Sequence, residues 1–452
     1  MIRFMRLSLR NLKRNKKRNL ATGSAIALGF AGIMMLGGYA YRAENYLRVY
    51  TVYVAHTGHL ALFPTDGLRK FQDKPRRYSL TPHDQQAIER ALREDGNVEF
   101  FETQLRGSGL VGNGCTSLPF LAQGVDPAVD QRVRTHPEIS RWMPDLRFFT
   151  RGRGIGNYPP ELGALTLSVG LSRALGKTRV HDEIPGGAPP APVACEAHGS
   201  REQFAADANV QLLSGTWSGG MGAVDAEVTG LFSTGFEQSD KLALITSVAR
   251  LQELYDTPNV ERYSIWLKDP ARMEETIGRL DAKLNAAGRK FDLVRWNESR
   301  LSPYFSGTMQ FLSAMVAFMT IVLGTVIGFS VLNATTITIL ERSDEIGMYR
   351  AFGFKRRQVL SLLVQESLWL CLAGLAAGTA IGATVVALVN RAGIVYYPPG
   401  IAGGLRLLLI PDPVFSAAAA CAMLLVSIAV TYGAASGRLA LGVSTLLEGA
   451  KR

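Results

Sequence analysis

The sequence contains few residues of the kinds that carry metal or redox chemistry. Its 452 residues include only 4 cysteines and 6 histidines, with no Cys-x-x-Cys or His-Glu-x-x-His pattern. His56 and His59 stand three residues apart, so in a strand they would face opposite sides and would not share one ion. No Ser-His-Asp set and no pair of carboxylates can be assigned from spacing. We therefore expect neither a metal centre nor a catalytic site in this chain.

Charge is missing from four long stretches. These are residues 20–41, 301–340, 367–390 and 413–437, with lengths of 22, 40, 24 and 25 residues. About 20 apolar residues cross the hydrocarbon core of a bilayer, whereas uncharged helices buried in soluble proteins rarely exceed about 14. The first stretch follows a long basic lead and is not followed by a clear Ala-x-Ala site, so we interpret it as a retained anchor. The sequence thus predicts four transmembrane helices.

Basic residues concentrate beside the ends of these stretches. Residues 1–18 contain eight Lys or Arg and no acid, and residues 341–358 contain five basic and three acidic residues. The positive-inside rule then predicts that both termini are cytoplasmic and that residues 43–300 are extracytoplasmic. Residues 42–300 hold 31 basic and 32 acidic residues. The net charge of +11 therefore reflects membrane topology and does not indicate nucleic-acid binding.

The segment between the first and second spans is long enough to bury a core of its own, and we expect two subdomains there. Alternating apolar residues predict strands over 59–63, 226–230 and 262–267, and helical spacing predicts helices over 84–93, 242–255 and 272–287. The predicted fold class is therefore a polytopic α-helical membrane protein with four transmembrane helices. A large α+β extracytoplasmic domain lies between the first and the second.

The predicted boundaries follow from the spans. In chain order they are a cytoplasmic amphipathic basic helix over 1–18, transmembrane helix 1 over 19–42, a periplasmic domain over 43–300, a stalk with transmembrane helix 2 over 301–340, a cytoplasmic coupling loop over 341–358, transmembrane helix 3 over 359–391, a short periplasmic loop over 392–412, transmembrane helix 4 over 413–437 and a cytoplasmic tail over 438–452. Forty helical residues would measure about 60 Å, twice the hydrocarbon core. We therefore expect the second helix to project as a stalk beside residues 42–54.

One stretch of the external segment imitates a nucleotide-binding loop. Residues 170–178 end in Gly-Lys-Thr, but five residues separate Gly170 from Gly176 where a P-loop has four. The position that should be glycine is Leu171, whose side chain would crowd the phosphate cradle. The predicted topology also places this stretch outside the cell, where ATP is essentially absent. We therefore expect that this chain is not itself an ATPase.

Two cysteines, Cys115 and Cys195, fall in the predicted external segment, whereas Cys371 and Cys421 fall in spans. Thiols in an oxidising compartment commonly pair. A Cys115–Cys195 disulfide is one possibility, and two free buried cysteines are the other.

The loop after the second span shows more than simple basic charge. Residues 341–353 combine mixed charges with helical spacing, and Gly353 suits a turn that ends a helix. We interpret this stretch as a short amphipathic helix that docks a cytoplasmic partner; a merely basic loop is the alternative. Glu366 lies near the start of the next span. There we favour a structural position at the interface over a functional charge inside the membrane.

The same stretch carries a family resemblance. The loop pattern Glu-Arg-x-x-Glu-Ile-Gly-x-x-Arg-Ala-x-Gly is matched at Glu341, Arg342, Glu345, Ile346, Gly347, Arg350, Ala351 and Gly353. The chain thereby resembles the FtsX/MacB superfamily of ABC-transporter permeases. Segments 124–127 and 230–235 resemble parts of the lipoprotein-releasing permeases LolC and LolE. Residues 171–182 resemble a helix and turn of the same family's external domain.

The resemblance implies a non-catalytic subunit that works by mechanotransmission. The residues expected to dock the ATPase are the eight matched ones together with Met348. A separate cytoplasmic ABC ATPase would bind ATP and Mg, so this chain is expected to hold no cofactor. A second permease chain, identical or different, would complete the complex in the cell inner membrane. The periplasmic domain would then move or extract a hydrophobic cargo such as a lipoprotein, a lipid or a peptide, with or without an adaptor protein.

Other functions stay open from the sequence. An FtsX-like regulator would activate periplasmic cell-wall hydrolases, and an efflux permease would work with an adaptor and an outer-membrane channel. A membrane-tethered enzyme is a further class, but it lacks a recognisable catalytic set. The large size of the external domain favours cargo handling.

Overall fold

The computed structural model describes residues 16–184, 207–286, 290–396 and 404–438. The chain divides into two compact units. The membrane unit comprises Met1–Glu44, Met309–Val395 and Arg406–Arg452, and the α/β domain comprises Asn45–Thr308 and Tyr396–Leu405. Most of the predicted basic helix over 1–18 and of the predicted tail over 438–452 lies outside the described residues.

The α-helices are numbered here in chain order. They are α1 (Lys16–Val49), α2 (Gly67–Lys70), α3 (Pro82–Arg93), α4 (Pro127–Arg134), α5 (Pro137–Trp142), α6 (Val169–Leu175), α7 (Val248–Tyr255), α8 (Met273–Ala286), α9 (Pro303–Glu341), α10 (Ser343–Ala351), α11 (Arg356–Ala392) and α12 (Pro413–Arg438). A π-helical turn over Tyr50–Val54 extends α1. Helices α1, α9, α11 and α12 are long and apolar enough to cross a membrane, as the uncharged stretches predict.

The strands form one large sheet and one short ribbon. They are β1 (Leu60–Pro64), β2 (Val98–Gly112), β3 (Ser117–Val125), β4 (Arg151–Gly152), β5 (Ala164–Ser168), β6 (Asn209–Gly215), β7 (Met221–Phe232), β8 (Ala243–Ser247), β9 (Arg262–Leu267), β10 (Phe291–Arg295), β11 (Val395–Tyr396) and β12 (Leu405–Arg406). The sheet order is β10-β1-β9-β2-β3-β8-β5-β7-β4, β6 pairs with β2 and β7, and β11 pairs with β12.

Strand β2 links the two halves of the large sheet, and the expected division of this domain into two subdomains stays a prediction. The strand is 15 residues long. Its first half pairs with β9, and its second half pairs with β3 and β6. The core of the domain accordingly runs across both halves of the sheet. Ile88 of α3, Leu171 of α6, Leu251 of α7 and Leu280 of α8 all belong to the same buried cluster as Leu105 of β2.

The prediction of a helix over 242–255 is wrong in its first half. Residues 243–247 are strand β8, which pairs with β3 and β5, and only residues 248–255 are helical. The Ser247 hydroxyl accepts a hydrogen bond from the Arg250 backbone N–H and caps α7. A short apolar run is compatible with both a helix and a strand, so the pairing with neighbouring strands decides which of the two forms. The predicted strand over 262–267 coincides with β9.

The membrane unit packs through small residues. Gly374, Gly378 and Gly382 recur every four residues along α11 and are buried. A Cβ on Gly378 would lie 2.6 Å from the carbonyl oxygen of Ala27 in α1, and a Cβ on Gly374 would lie 2.7 Å from Cγ2 of Ile26. Helices in a membrane are held together by van der Waals contacts at such close distances, because the hydrophobic effect does not drive their association in lipid. The stripe therefore fixes α11 against α1.

We predict that Gly378→Ala lowers the melting temperature of the full chain in detergent. The added methyl group meets backbone atoms of α1, and overpacking of this kind costs roughly 1–3 kcal/mol. Gly433→Ala in α12 is the matched control, because a Cβ there meets nothing within 4 Å. That control is expected to be neutral or slightly stabilising through helix propensity. Equal melting temperatures for the two variants would contradict the close packing of α1 on α11.

Candidate functional site

The loop predicted to dock a partner contains a short helix with sharp breaks on both sides. Helix α9 ends at Glu341, and Arg342 leaves the helical conformation with φ −110° and ψ 19°. The nine-residue α10 follows. Gly353 then has φ +86°, a backbone conformation that is strained for residues with a side chain. Helix α11 begins at Arg356. The short helix and the terminating turn at Gly353 are thus present where they were predicted.

One side of α10 packs against the membrane helices. Ile346 and Gly347 are buried. Ile346 shares a cluster with Ile339 of α9, Val359 and Leu363 of α11 and Ala435 of α12. This apolar contact holds α10 at the junction of three helices that cross the membrane unit.

Arg342 adds an electrostatic anchor to that contact. Its guanidinium side chain is only 9% exposed. Nε donates to Glu345 of α10 at 2.8 Å, and Nη1 donates to both carboxylate oxygens of Glu366 in α11 at 3.0 Å. Removing one partner from such a buried set leaves a charge uncompensated, which typically costs about 3–5 kcal/mol. Glu366 is therefore a paired structural charge, and its partner is the arginine of the loop motif.

A second ion pair lies beside the first but is more exposed. Arg18 of α1 pairs with Glu341 at 2.5 Å, and the Glu341 side chain is 56% exposed. A polar cavity of about 50 Å³ separates Arg18 from Arg342, with Thr22, Thr335 and Ser367 among its lining residues. Arg18, Arg342 and Glu366 are the charged residues that line it, and both arginines are paired with glutamates. A cavity of this polarity and size suits water.

The opposite side of α10 faces away from the rest of the chain. Asp344, Met348, Ala351 and Phe352 are exposed. Phe352 is 81% exposed and Met348 is 52% exposed. An arginine- and lysine-rich turn follows at residues 355–357 and is also exposed. The arrangement is an apolar knob with a basic border, which can enter a groove of another protein.

The residues predicted to dock a partner fall into three groups. Glu341, Met348, Ala351 and Gly353 are exposed, Glu345 and Arg350 are half-buried, and Arg342, Ile346 and Gly347 are buried. Sequence reasoning overlooked Phe352 and the pairing of Glu366. Asp344, Met348 and Ala351 are spaced four and three apart, so a helical projection opposite Ile346 would have indicated the exposed face. The docking role of the whole set stays a prediction.

The segment that imitates a nucleotide-binding loop has the wrong polarity for that task. In a P-loop the glycine-rich turn precedes a helix, whose N-terminus holds phosphate. Here α6 comes first, and Gly176 ends it with φ +72°. The Lys177 side chain is 2% exposed and pairs with Asp207 at 2.5 Å. The helix and turn expected from the family resemblance are therefore present, and Lys177 serves the fold.

Cys115 is disulfide-bonded. Its predicted partner, Cys195, lies outside the described residues, so the pairing between the two stays a prediction. Cys371 and Cys421 are free thiols.

Comparison with known proteins bears on the part of the chain that holds α10. The family model described as "FtsX-like permease C-terminal" matches residues 314–442. The Macrolide export ATP-binding/permease protein MacB of Brucella abortus is 27% identical over 163 residues, covering 35% of this chain and 25% of that protein. The Pyoverdine export ATP-binding/permease protein PvdT of Pseudomonas fluorescens is 28% identical over 188 residues, covering 40% and 28%. The chain thus spans about a quarter of the length of these relatives.

Two solved structures are similar over about half of the chain. The extracellular domain of the noncanonic ABC-type transporter YknZ from Gram-positive bacteria has 16% identity and a TM-score of 0.30, covering 52% of this chain and 99% of that one. The periplasmic region of MacB from Actinobacillus actinomycetemcomitans has 11% identity and a TM-score of 0.32, covering 52% and 88%. The finer resemblance to LolC and LolE stays a prediction. The match to the FtsX-like permease C-terminal model extends over residues 314–442 and so includes α10, Arg342 and Glu366.

Proposed function

We propose that the chain is the permease subunit of an ABC transporter and that α10 is the helix on which a separate cytoplasmic ATPase docks. The observation that carries this proposal is the division of α10 into two sides. Ile346 and Arg342 hold one side to the membrane helices, while Met348 and Phe352 present the other to solvent. A push on the exposed side is therefore transferred to α9 and α11 instead of deforming a loop.

The charge distribution supports an orientation for this subunit. Eight basic residues precede the first span, and the loop that holds α10 has five basic and three acidic residues. Both termini and α10 then lie in the cytoplasm, and the α/β domain lies in the periplasm of an inner-membrane protein. ATP and Mg are bound by the partner ATPase in this proposal, and the chain itself contributes no cofactor site and no catalysis.

The length of the second apolar helix supports a mechanical role. Helix α9 has 39 residues, about 58 Å at 1.5 Å per residue, whereas the hydrocarbon core is about 30 Å thick. One unbroken helix therefore continues well beyond the bilayer. Two copies of the permease, identical or different, together with two ATPase subunits, would move the periplasmic domains through such helices.

The cargo is proposed at the level of class. The matched relatives are named for export of macrolides and of pyoverdine, which supports export of a hydrophobic or amphipathic molecule from the periplasmic side. A lipoprotein, a lipid and a peptide fall within that class. Regulation of a periplasmic hydrolase is the alternative, and capture of such an enzyme by the α/β domain would favour it.

We predict that Phe352→Ala weakens binding of the ATPase subunit to the permease in nanodiscs by roughly tenfold or more. Loss of a buried aromatic anchor at an interface typically costs about 2 kcal/mol or more. Phe318→Ala is the matched control, because Phe318 is also exposed, at 62%, but lies in the middle of α9. Titration of the labelled ATPase against reconstituted permease measures both. Unchanged affinity for Phe352→Ala would argue against docking at α10.

We also predict that Arg342 and Glu366 act as one unit in ATPase binding. In a double-mutant cycle of Arg342→Met and Glu366→Gln, the double variant should lose less affinity than the sum of the single variants, with a coupling of about 0.5–3 kcal/mol. The cycle of Arg18→Met and Glu341→Gln is the control. Its coupling should be about 0–1 kcal/mol, because Glu341 is 56% exposed and water screens the pair. Additive losses at Arg342 and Glu366 would contradict the anchoring role.

A further inference from the structure

The segment from Tyr50 to His59 connects α1 to strand β1 within the α/β domain. It starts with the π-helical turn and then reverses at His56, which has φ +54°. Residues 56–60 are all buried. A connection between two elements normally lies on the surface because its backbone groups need water. This one is enclosed, so its polar groups require partners from the protein.

Side chains of the sheet provide those partners. The Trp266 indole N–H donates to the Val52 carbonyl at 3.0 Å, the Gln123 amide donates to the Ala55 carbonyl at 3.2 Å, and the Ser264 hydroxyl donates to the His56 carbonyl at 2.8 Å. These carbonyls lie at the end of the helix, where the regular pattern of backbone hydrogen bonds stops. Three strands, β2, β3 and β9, thus hold the connection, since Gln104 of β2 also donates to the His56 carbonyl.

The His56 ring lies between two carboxylates. Nδ1 is 2.9 Å from Glu102 of β2, and Nε2 is 3.0 Å from Asp130 of α4. The three side chains are 3%, 0% and 1% exposed. A neutral imidazole has one N–H and would present a lone pair to one carboxylate, so the geometry requires the imidazolium. Arg134 pairs with Asp130 at 2.8 Å, and the four charges sum to zero.

We infer that His56 is a positioning residue that locks the last turns of α1 to the sheet and to α4, so that residues 50–59 form a rigid joint between the end of α1 and the sheet of the same unit. The inference rests on the proposed function, in which α1 must pass movement to that domain. Arg48 and Tyr50 strengthen the joint, through an ion pair with Glu138 at 2.8 Å and a hydrogen bond to the Thr234 carbonyl at 2.9 Å.

His59 shows that the two histidines have separate tasks. The Leu267 backbone N–H donates to its Nδ1 at 3.1 Å, so that nitrogen carries no proton. Burial lowers the pKa of His59 to about 3. His56 lies in a turn, so the assumption that His56 and His59 share a strand is wrong. Its neighbours are carboxylates, whereas His59 receives a backbone donor.

We test the joint by hydrogen exchange in the full chain in nanodiscs. The amides of Gly58 and His59 donate to the carbonyls of Val52 and Ile265 at 3.0 and 2.8 Å. In His56→Gln these two amides should exchange about tenfold to a hundredfold faster, because a charge-assisted bond on each side of the ring is lost. Asp130→Asn should shift the same amides in the same direction, which provides a second variant should the first fail to fold.

Asp95→Asn is the matched control. Asp95 is 1% exposed and pairs with Arg279 at 2.8 Å, so the variant removes a buried carboxylate of the same domain away from the joint. It should leave exchange at Gly58 and His59 within about twofold of the wild type. If His56→Gln and Asp130→Asn accelerate these amides no more than Asp95→Asn does, the inference is overturned. Exchange needs no ATPase, so this result holds even if the proposed function fails.

A second readout separates positioning from mere stability. Spin labels on Met221→Cys, at a side chain that is 79% exposed, report the distance between the α/β domains of two permease copies once the free thiols Cys371 and Cys421 are replaced by alanine. In complexes with the ATPase, addition of a non-hydrolysable ATP analogue with Mg should change that distance in the wild type and in Asp95→Asn. The change should be at least halved in His56→Gln, while ATPase binding is kept. An undiminished change in His56→Gln would refute the positioning role.

The charge on His56 gives the joint a defined pH range. Burial opposes the charge, but Glu102 and Asp130 outweigh burial and raise the pKa of His56 to about 9, above about 6.5 in the unfolded chain. The stabilisation is therefore complete below about pH 6.5 and is lost as the pH rises through about 9. The charged groups that face the His56 ring are Glu102 of β2 and Asp130 of α4. Arg134 donates to Asp130, and Arg262 of β9 donates to Gln104.

We predict that the difference in melting temperature between wild type and His56→Gln is large at pH 7 and mostly gone by about pH 9.5. Above its pKa the wild-type ring is as neutral as the glutamine that replaces it. Thermal unfolding of both full chains across this range measures the difference. Asp95→Asn should keep a constant difference from wild type over the same interval. A difference for His56→Gln that does not change with pH would show that the ring is not charged.

Discussion

The ion pairs of Arg342 are the interactions on which the packing of α10 against the membrane helices depends. A buried arginine cannot shed its proton, so it must keep its carboxylates close. Glu345 ties it to α10, and Glu366 ties it to α11. Because α9 ends one residue before Arg342, three helices meet at one charge. Displacement of α10 alone would separate that charge from Glu366, so the helices are expected to move together.

The same chemistry recurs within the α/β domain. His56, like Arg342, is a buried cation held by two carboxylates from different elements. A single ion pair can tilt while its distance is kept, but a cation fixed on two sides has fewer such movements. Both sites also join segments where regular helix hydrogen bonding stops, at the break after Glu341 and after the π-helical turn. In the proposed function, these ion pairs add rigidity at places where a chain that transmits movement would otherwise bend.

The sequence was informative where the signal is local. The absence of charge predicted a last span over 413–437, and α12 covers Pro413–Arg438; no tertiary knowledge is needed for that inference. The helix predicted over 242–255 is wrong in its first half because the pairing of β8 with β3 and β5 overrides a short apolar run. The ion pairs were not predictable for a related reason. Arg342 and Glu366 are 24 residues apart, and His56 and Glu102 are 46 apart, so only the fold brings them together.

The residues of the loop motif are divided between the buried and the exposed side of α10. Arg342, Ile346 and Gly347, three of the motif residues that identify the loop, are buried against the chain's own helices. They hold α10 to the other helices and are not available to a partner. Phe352, the most exposed large apolar residue of the site, lies outside the matched pattern. In the proposed function the buried motif residues therefore couple α10 to the membrane helices, and the exposed residues beside them contact the ATPase.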